Sequence, residues 1–198
     1  METYVINPRA FGEMTEDQFF QFCLDNSELR IERDSRGQII IMPPTGSETG
    51  IPNSDIITEL VNWNRKAKLG FCFDSSAGFT LPNQAVRSPD AAWITKERWE
   101  GLPEADRKKF AHLCPDFIVE LMSENDTLHE SQSKMREWMA NGCRLAWLIN
   151  PRQQKAYVYR PDGSATEVAS FGESLSGEEV LPGFVLDLSL LKREDKQS

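Results

Sequence analysis

The sequence predicts an α/β fold with a mixed central β-sheet flanked by helices, and three features point to it. Short apolar runs bounded by proline or polar residues recur along the chain, most plainly Pro115 to Ser123 and Cys143 to Ile149. Their length and β-favouring composition read as buried strands. Between such runs lie segments with apolar residues at helical spacing, such as Ile56, Ile57, Leu60, Val61 and Trp63. No internal repeat, linker or low-complexity stretch divides the 198 residues. One domain over 1–198 is expected, large enough to bury its core without metal or disulfide staples.

Taken in order, Tyr4 to Pro8 reads as a short edge strand with an N-terminal helix after it. Thr15, ahead of Glu16 and Asp17, is placed as the N-cap of that helix, which runs through Phe19, Phe20, Phe22, Cys23 and Leu24. Leu29 to Glu32 and Gln38 to Met42, joined by the turn residues Asp34 to Gly37, form a β-hairpin. Ser47 and Glu48 open a second helix, with Pro52 expected in its first turn or at its start. From Gly70 to Ile94 the pattern is β, ending in a strand entered through Ser88, Pro89 and Asp90.

A short helix through Lys96 to Trp99 and a charged loop from Glu104 to Lys109 precede the strand that contains Glu120. A helix from about Asp126 to Ala140 then ends at an Asn141–Gly142 C-cap. The strand from Cys143 to Ile149 follows, and Gln154 to Tyr159 pairs with it across Asn150 and Pro151. After a turn at Pro161 to Gly163 comes a strand from Ala165 to Ala169, then a tail in which Phe184 to Leu186 is the last apolar piece. Residues 192–198 are expected to fray.

Composition excludes several classes. Hydrophobic content of 39% with 27% charged residues is that of a soluble globular protein, and no apolar run approaches the length of a membrane span. The first residues lack a signal peptide's basic and apolar regions, so a cytoplasmic protein with no membrane partner is expected. The cysteines, Cys23, Cys72, Cys114 and Cys143, are scattered singly and read as core thiols rather than a zinc site or disulfide framework. A net charge of -9 argues against a general nucleic-acid coat. Between Ser131 and Arg160, however, six basic residues face one acid, Glu137. Such a cluster suits a site acting on a phosphate backbone, although a solvated face is its commoner meaning.

The chemistry concentrates on two acids. Glu120 lies inside a buried strand, where a carboxylate needs a partner or an ion. Asp90 stands at the mouth of the short apolar strand Ala91 to Ile94. Two acids on two strands are the minimum for holding a divalent ion. Each alone has an ordinary reading: Asp90 as a turn residue, Glu120 as a water-facing acid or an arginine's partner. Asp116 lies about 13 Å along the strand from Glu120, too far to share an ion. Ser123 has no histidine base beside it in the sequence, which disfavours a serine nucleophile.

Together these residues resemble the restriction-endonuclease-like family within the PD-(D/E)xK nuclease superfamily. The likeness rests on the Ser-Pro-Asp strand, the Pro-x-x-x-Val-Glu-x-x-Ser strand, the helix with an internal lysine, the Asn-Gly turn and the Trp-Leu-Ile-Asn strand. It implies a core of central strands flanked by helices, with a Mg²⁺-dependent (or Mn²⁺-dependent) site that cuts phosphodiester bonds in DNA. Asp90 and Glu120 match its two metal-binding acids, and the backbone carbonyl of Leu121 a further ligand. Glu48 resembles the extra acid that some members contribute from an N-terminal helix. The usual lysine two residues after the glutamate is replaced by Met122. Members with this gap carry a lysine in the following helix, which maps to Lys134. Arg136, Arg144 and Arg152 are candidate contacts for nucleic acid.

Helix geometry gives Lys134 an independent test. Leu128, Met135, Trp138 and Met139 form one stripe, which must be the buried face. Lys134 lies on its border, with Glu137 and Ser133 on the far side, so its ammonium could emerge at the rim near the carboxylates. The alternative is a surface pair with Glu130 one turn earlier. An interaction module that kept the fold and lost catalysis, or a hydrolase of small phosphoesters, fits the acidic composition. The sequence leaves open whether the chain forms a homodimer.

Overall fold

The computed structural model describes residues 3–8, 12, 14–42, 47–124 and 126–192, with the side chains of 47–49 outside that description. The chain runs β1 (Tyr4–Ile6), α1 (Glu16–Asp25), β2 (Arg30–Arg33), β3 (Ile39–Met42), α2 (Ser47–Ala67), β4 (Gly70–Asp74), β5 (Phe79–Thr80), β6 (Val86–Arg87) and β7 (Ala91–Thr95). It continues through α3 (Lys96–Glu100), α4 (Glu104–Arg107), β8 (Phe117–Leu121), α5 (Leu128–Ala140), β9 (Leu145–Asn150), β10 (Lys155–Tyr159), β11 (Ala165–Val168), β12 (Ser174–Ser176), β13 (Val185–Asp187) and a 3-10 turn, Leu188–Leu191. The mixed α/β architecture is the one the strand and helix patterns predict.

A six-stranded sheet in the order β11-β10-β9-β8-β7-β4 forms the centre. Its β8–β9 pair is parallel, joined through α5, and its other pairs are antiparallel. Because strand side chains alternate, the two faces build two cores. Phe117, Val119 and Leu121 face a cluster completed by Ile56 and Leu60 of α2 and by Phe184 and Leu188. Ile118 and Met122 face the opposite cluster with Met135 and Trp138 of α5. Glu120 takes the position between Ile118 and Met122, on the face that α5 covers.

A second sheet, β1-β3-β2-β6-β5, carries the N-terminal hairpin. The chain passes from this sheet to the central one between β6 and β7, over Ser88, Pro89 and Asp90. Proline lacks the N–H that a continuous ladder needs, so the crossing from one sheet to the other falls at that residue. Asp90 is thereby held at the junction of the two sheets.

Local signals hold at several helix ends. Thr15 caps α1 in a reciprocal box with Gln18, and Thr127 caps α5 through Glu130 N–H. Asn141 ends α5, and Gly142 follows with φ of +102°, a conformation suited to glycine. Three expectations need correction. Pro52 lies in the second turn of α2, where it removes one hydrogen bond near the start of a long helix. The charged segment after Pro103 is not all loop: Glu104–Arg107 coils into one helical turn. The C-terminal stretch is more than a tail, since Phe171, Leu175, Leu181, Leu186, Leu188 and Leu191 complete the α2-side core. Cys114 and Cys143 are buried, Cys23 and Cys72 half-buried, and all four are free thiols. No helix among the described residues is long and apolar enough to cross a membrane.

Candidate active site

The site is built where β8, the β6–β7 crossing, β2 and α5 meet. In the antiparallel β7–β8 register Ala91 pairs with Val119 and Ala92 with Ile118. Asp90, one residue before, is clamped around Glu120 through both of its neighbours. Its N–H donates to the Val119 carbonyl at 3.0 Å, and its Oδ2 accepts from Leu121 N–H at 2.8 Å. Arg30 Nη2 stands 3.5 Å from Asp90 Oδ1.

Glu120 is fixed by α5. Lys134 Nζ lies 3.0 Å from Oε1 and 3.1 Å from Oε2, and the indole N–H of Trp138 donates to Oε1 at 2.8 Å. Lys134 and Trp138 are four residues apart, one helical turn, so one helix face delivers both donors to one carboxylate. The border position of Lys134 therefore places its ammonium at the carboxylates and not on Glu130, which bonds Thr127 instead. Met122 is buried among the side chains of the α5-side core and adds no polar group.

The same ammonium reaches a third acid that sequence reasoning missed. Lys134 Nζ donates to Glu32 Oε1 at 3.0 Å; Arg87 Nη1 donates to Oε2 at 2.9 Å and Ser88 N–H to Oε1 at 3.1 Å. Arg87 continues to Glu137, with Nε 2.7 Å and Nη2 2.6 Å from Oε2, while Asn83 Nδ2 donates to Oε1 at 3.0 Å. Glu137 is therefore part of this network and not a far-side residue, because the N-terminal sheet covers that flank of α5. One signal for Glu32 was available. It pairs with Ile40 in a strand of four consecutive apolar residues, so it shares a face with an apolar neighbour.

The three acids differ in protonation. Burial would raise Glu32, but Lys134, Arg87 and Ser88 N–H together hold its carboxyl down at about 2. Burial pushes Glu120 up to about 7; Lys134 opposes this, while the negative charges of Asp90 and Glu32 reinforce it. Burial likewise raises Asp90 above the usual carboxylate range, against the pull of Arg30 and Leu121 N–H. For Lys134, burial works against the charge, yet Glu120 and Glu32 keep the ammonium above its ordinary range.

These residues fit a hard divalent ion. Asp90 and Glu120 are oxygen donors on one face whose charge the surrounding cations do not fully neutralise, and Mg²⁺ takes one or two carboxylates while keeping several waters. Among the described residues no group of three or more His, Cys, Asp and Glu side chains forms a ready-made cage. The side chain of Glu48 lies outside the described residues.

The basic residues divide between the two ends of the sheet. Arg152 Nη1 donates to the Glu124 carbonyl at 3.2 Å, beyond the end of β8 where Glu120 lies. Arg144 stands at the other end, 3.7 Å from the fully buried Asp116, which also accepts from Thr95 N–H and pairs with Arg98. Arg136 is exposed on α5.

The sequence profile of the Uma2 family, described as "Putative restriction endonuclease", matches residues 16–189. The fold is similar to the crystal structure of a "putative nuclease belonging to DUF820" from Anabaena variabilis ATCC 29413. That similarity has a TM-score of 0.72 at 20% identity and covers 90% of this chain and 97% of that one. No curated protein matches the chain.

Proposed function

This chain belongs to the Uma2 family of restriction-endonuclease-like proteins, and on that premise we propose a divalent-metal-dependent endonuclease that hydrolyses phosphodiester bonds in DNA. The observation that carries the reading is the pairing of two under-neutralised carboxylates, Asp90 and Glu120, with one ammonium, Lys134, on a single face. Asp90 and Glu120 would hold Mg²⁺ or Mn²⁺, with the Leu121 carbonyl and Glu48 as further ligands. When bound, such an ion supplies polarisation of a phosphoryl oxygen and a lowered pKa for a water.

The chain's own groups have distinct tasks. Trp138 N–H orients Glu120 and Leu121 N–H orients Asp90, and the Lys134 ammonium would stabilise charge developing on phosphate. Lys134 thus takes the role that Met122 cannot fill. Arg152 and Arg136 would bind the phosphate backbone; Arg144 could act only on DNA that reaches the far end of the sheet.

The test is Mn²⁺ titration by calorimetry beside plasmid cleavage. Asp90→Asn and Glu120→Gln are expected to lose both, whereas Lys134→Met keeps ion binding and lowers cleavage by about 10²–10³-fold. A second reading, a binding module that retains the fold without catalysis, is favoured by one observation: Lys134 engages both oxygens of Glu120. DNA binding without Mn²⁺ binding or cleavage would select that reading.

A further inference from the structure

Glu32 belongs to the N-terminal hairpin, yet its carboxylate ends against α5. It is 2% exposed and takes donors from three places: Lys134 of α5, Arg87 of β6, and the Ser88 backbone in the crossing that leads to Asp90. Arg87 also bonds Glu137, three residues after Lys134 on the same helix. Glu32 is therefore immobilised from both sides while one of its oxygens holds the Lys134 ammonium.

Lys134 needs such a hold. Its stem enters from a helix and not from the strand that carries Glu120, and a four-carbon lysine chain does not fix its own ammonium. Among the described residues its carboxylate contacts are Glu120 and Glu32, each at 3.0 Å. A cation on Glu120 competes for the oxygens that Lys134 touches there, while Glu32, held by Arg87 and the Ser88 N–H, keeps its own oxygen on the ammonium. We propose that Glu32 is a positioning residue: it anchors Lys134 beside the site so that the ammonium stays in place when Glu120 turns to a cation. The N-terminal hairpin is then a working part of the site. The anchoring itself is independent of the nuclease reading; the consequence for cation binding rests on it.

The anchoring is tested without metal or turnover, by proton exchange of the Lys134 ammonium in ¹⁵N NMR. Exchange is expected to be slow in the wild type and in Glu120→Gln, and fast in Glu32→Gln. An ammonium freed by Glu120→Gln, or still protected in Glu32→Gln, overturns the proposal whatever becomes of the nuclease reading. Should Glu32→Gln not fold, Glu32→Asp, which draws the carboxylate back by one methylene, must speed the exchange; unchanged protection there also overturns it.

Calorimetry with Mn²⁺ is the second arm. Glu32→Gln should weaken Mn²⁺ about 10–100-fold, the size of effect that groups outside the coordination shell have on a metal site, because the Lys134 ammonium then rests on Glu120 and competes with the ion there. The double variant Glu32→Gln/Lys134→Met should restore the affinity. A loss that persists in the double variant, or no loss at all, overturns the role. A wild type that binds no Mn²⁺ refutes the nuclease reading, and the exchange measurement alone then decides for or against the anchor.

Discussion

Glu32 and Glu120 share one lysine and lie in one polar cluster, yet their surroundings drive them in opposite directions. Glu32 meets two cations and a backbone N–H in the interior, and its carboxyl sits at about 2. Glu120 meets the same lysine and a neutral indole, with Asp90 and Glu32 adding negative charge, and its carboxyl sits at about 7. Burial alone does not set the two carboxyls apart; the count of opposing charges does. The Glu32–Arg87–Glu137 side is a completed network that ties the hairpin to α5. The Asp90–Glu120 side is short of positive charge, which is the condition that makes a cation welcome.

The largest effect is expected from breaking the completed side. Arg87→Leu leaves Glu32 with one cation, Lys134, beside the Ser88 N–H, and leaves Glu137 with Asn83. Removing one partner of a buried ionic network costs about 3–5 kcal/mol, which urea unfolding should register as a lower midpoint with an unchanged slope. A loss below about 1 kcal/mol would place the network with ordinary surface pairs. A somewhat smaller effect should come from supplying charge to the incomplete side. Mn²⁺ at 100 times its dissociation constant should stabilise the folded chain by about 2.7 kcal/mol. Asp90→Asn should abolish that gain and Arg87→Leu should not; equal gains in wild type and Asp90→Asn would remove Asp90 from the ion site.

The same contrast explains what could be read from the sequence. Glu120 stood out because it interrupts an apolar strand, Asp90 because it stands at the mouth of one, and Lys134 because helix geometry put it at the border of a buried stripe. Glu32 and Arg87 did not. In Leu29 to Arg33 apolar and charged residues alternate, as they would on a solvated hairpin, and only the packing of the second sheet against α5 encloses the charged side. The basic cluster from Ser131 to Arg160 is less compact in space than in sequence for a related reason. Strand β9 carries the chain about 20 Å between Arg144 and Arg152, so neighbours in the list of charges lie at opposite ends of the sheet. The C-terminal core residues, Phe171, Leu175 and Leu181, follow neither strand nor helix period, since they fill a face opened by α2 and not one of their own.

The smallest effect sharpens the comparison most, because it changes sign with the residue. Glu120, with its carboxyl raised from the ordinary 4.5 to about 7, contributes stability that is fully present below its unfolded value and lost as pH rises through 7. Glu32, lowered to about 2, contributes stability that is present above its unfolded value and lost as pH falls through 2. Glu120→Gln replaces the carboxyl by a neutral isostere that still accepts from Trp138. In chelator-treated buffer at pH 8 the variant should be the more stable protein, because the wild-type carboxyl is there forced to carry a charge that its surroundings disfavour. Toward pH 4.5 the wild-type carboxyl is itself neutral and the difference should close. Melting temperatures of the two proteins from pH 4.5 to 8.5 check this directly. A variant less stable at pH 8 would mean that the Lys134 ion pair outweighs the cost of charge at Glu120, and the two glutamates would then differ only in degree.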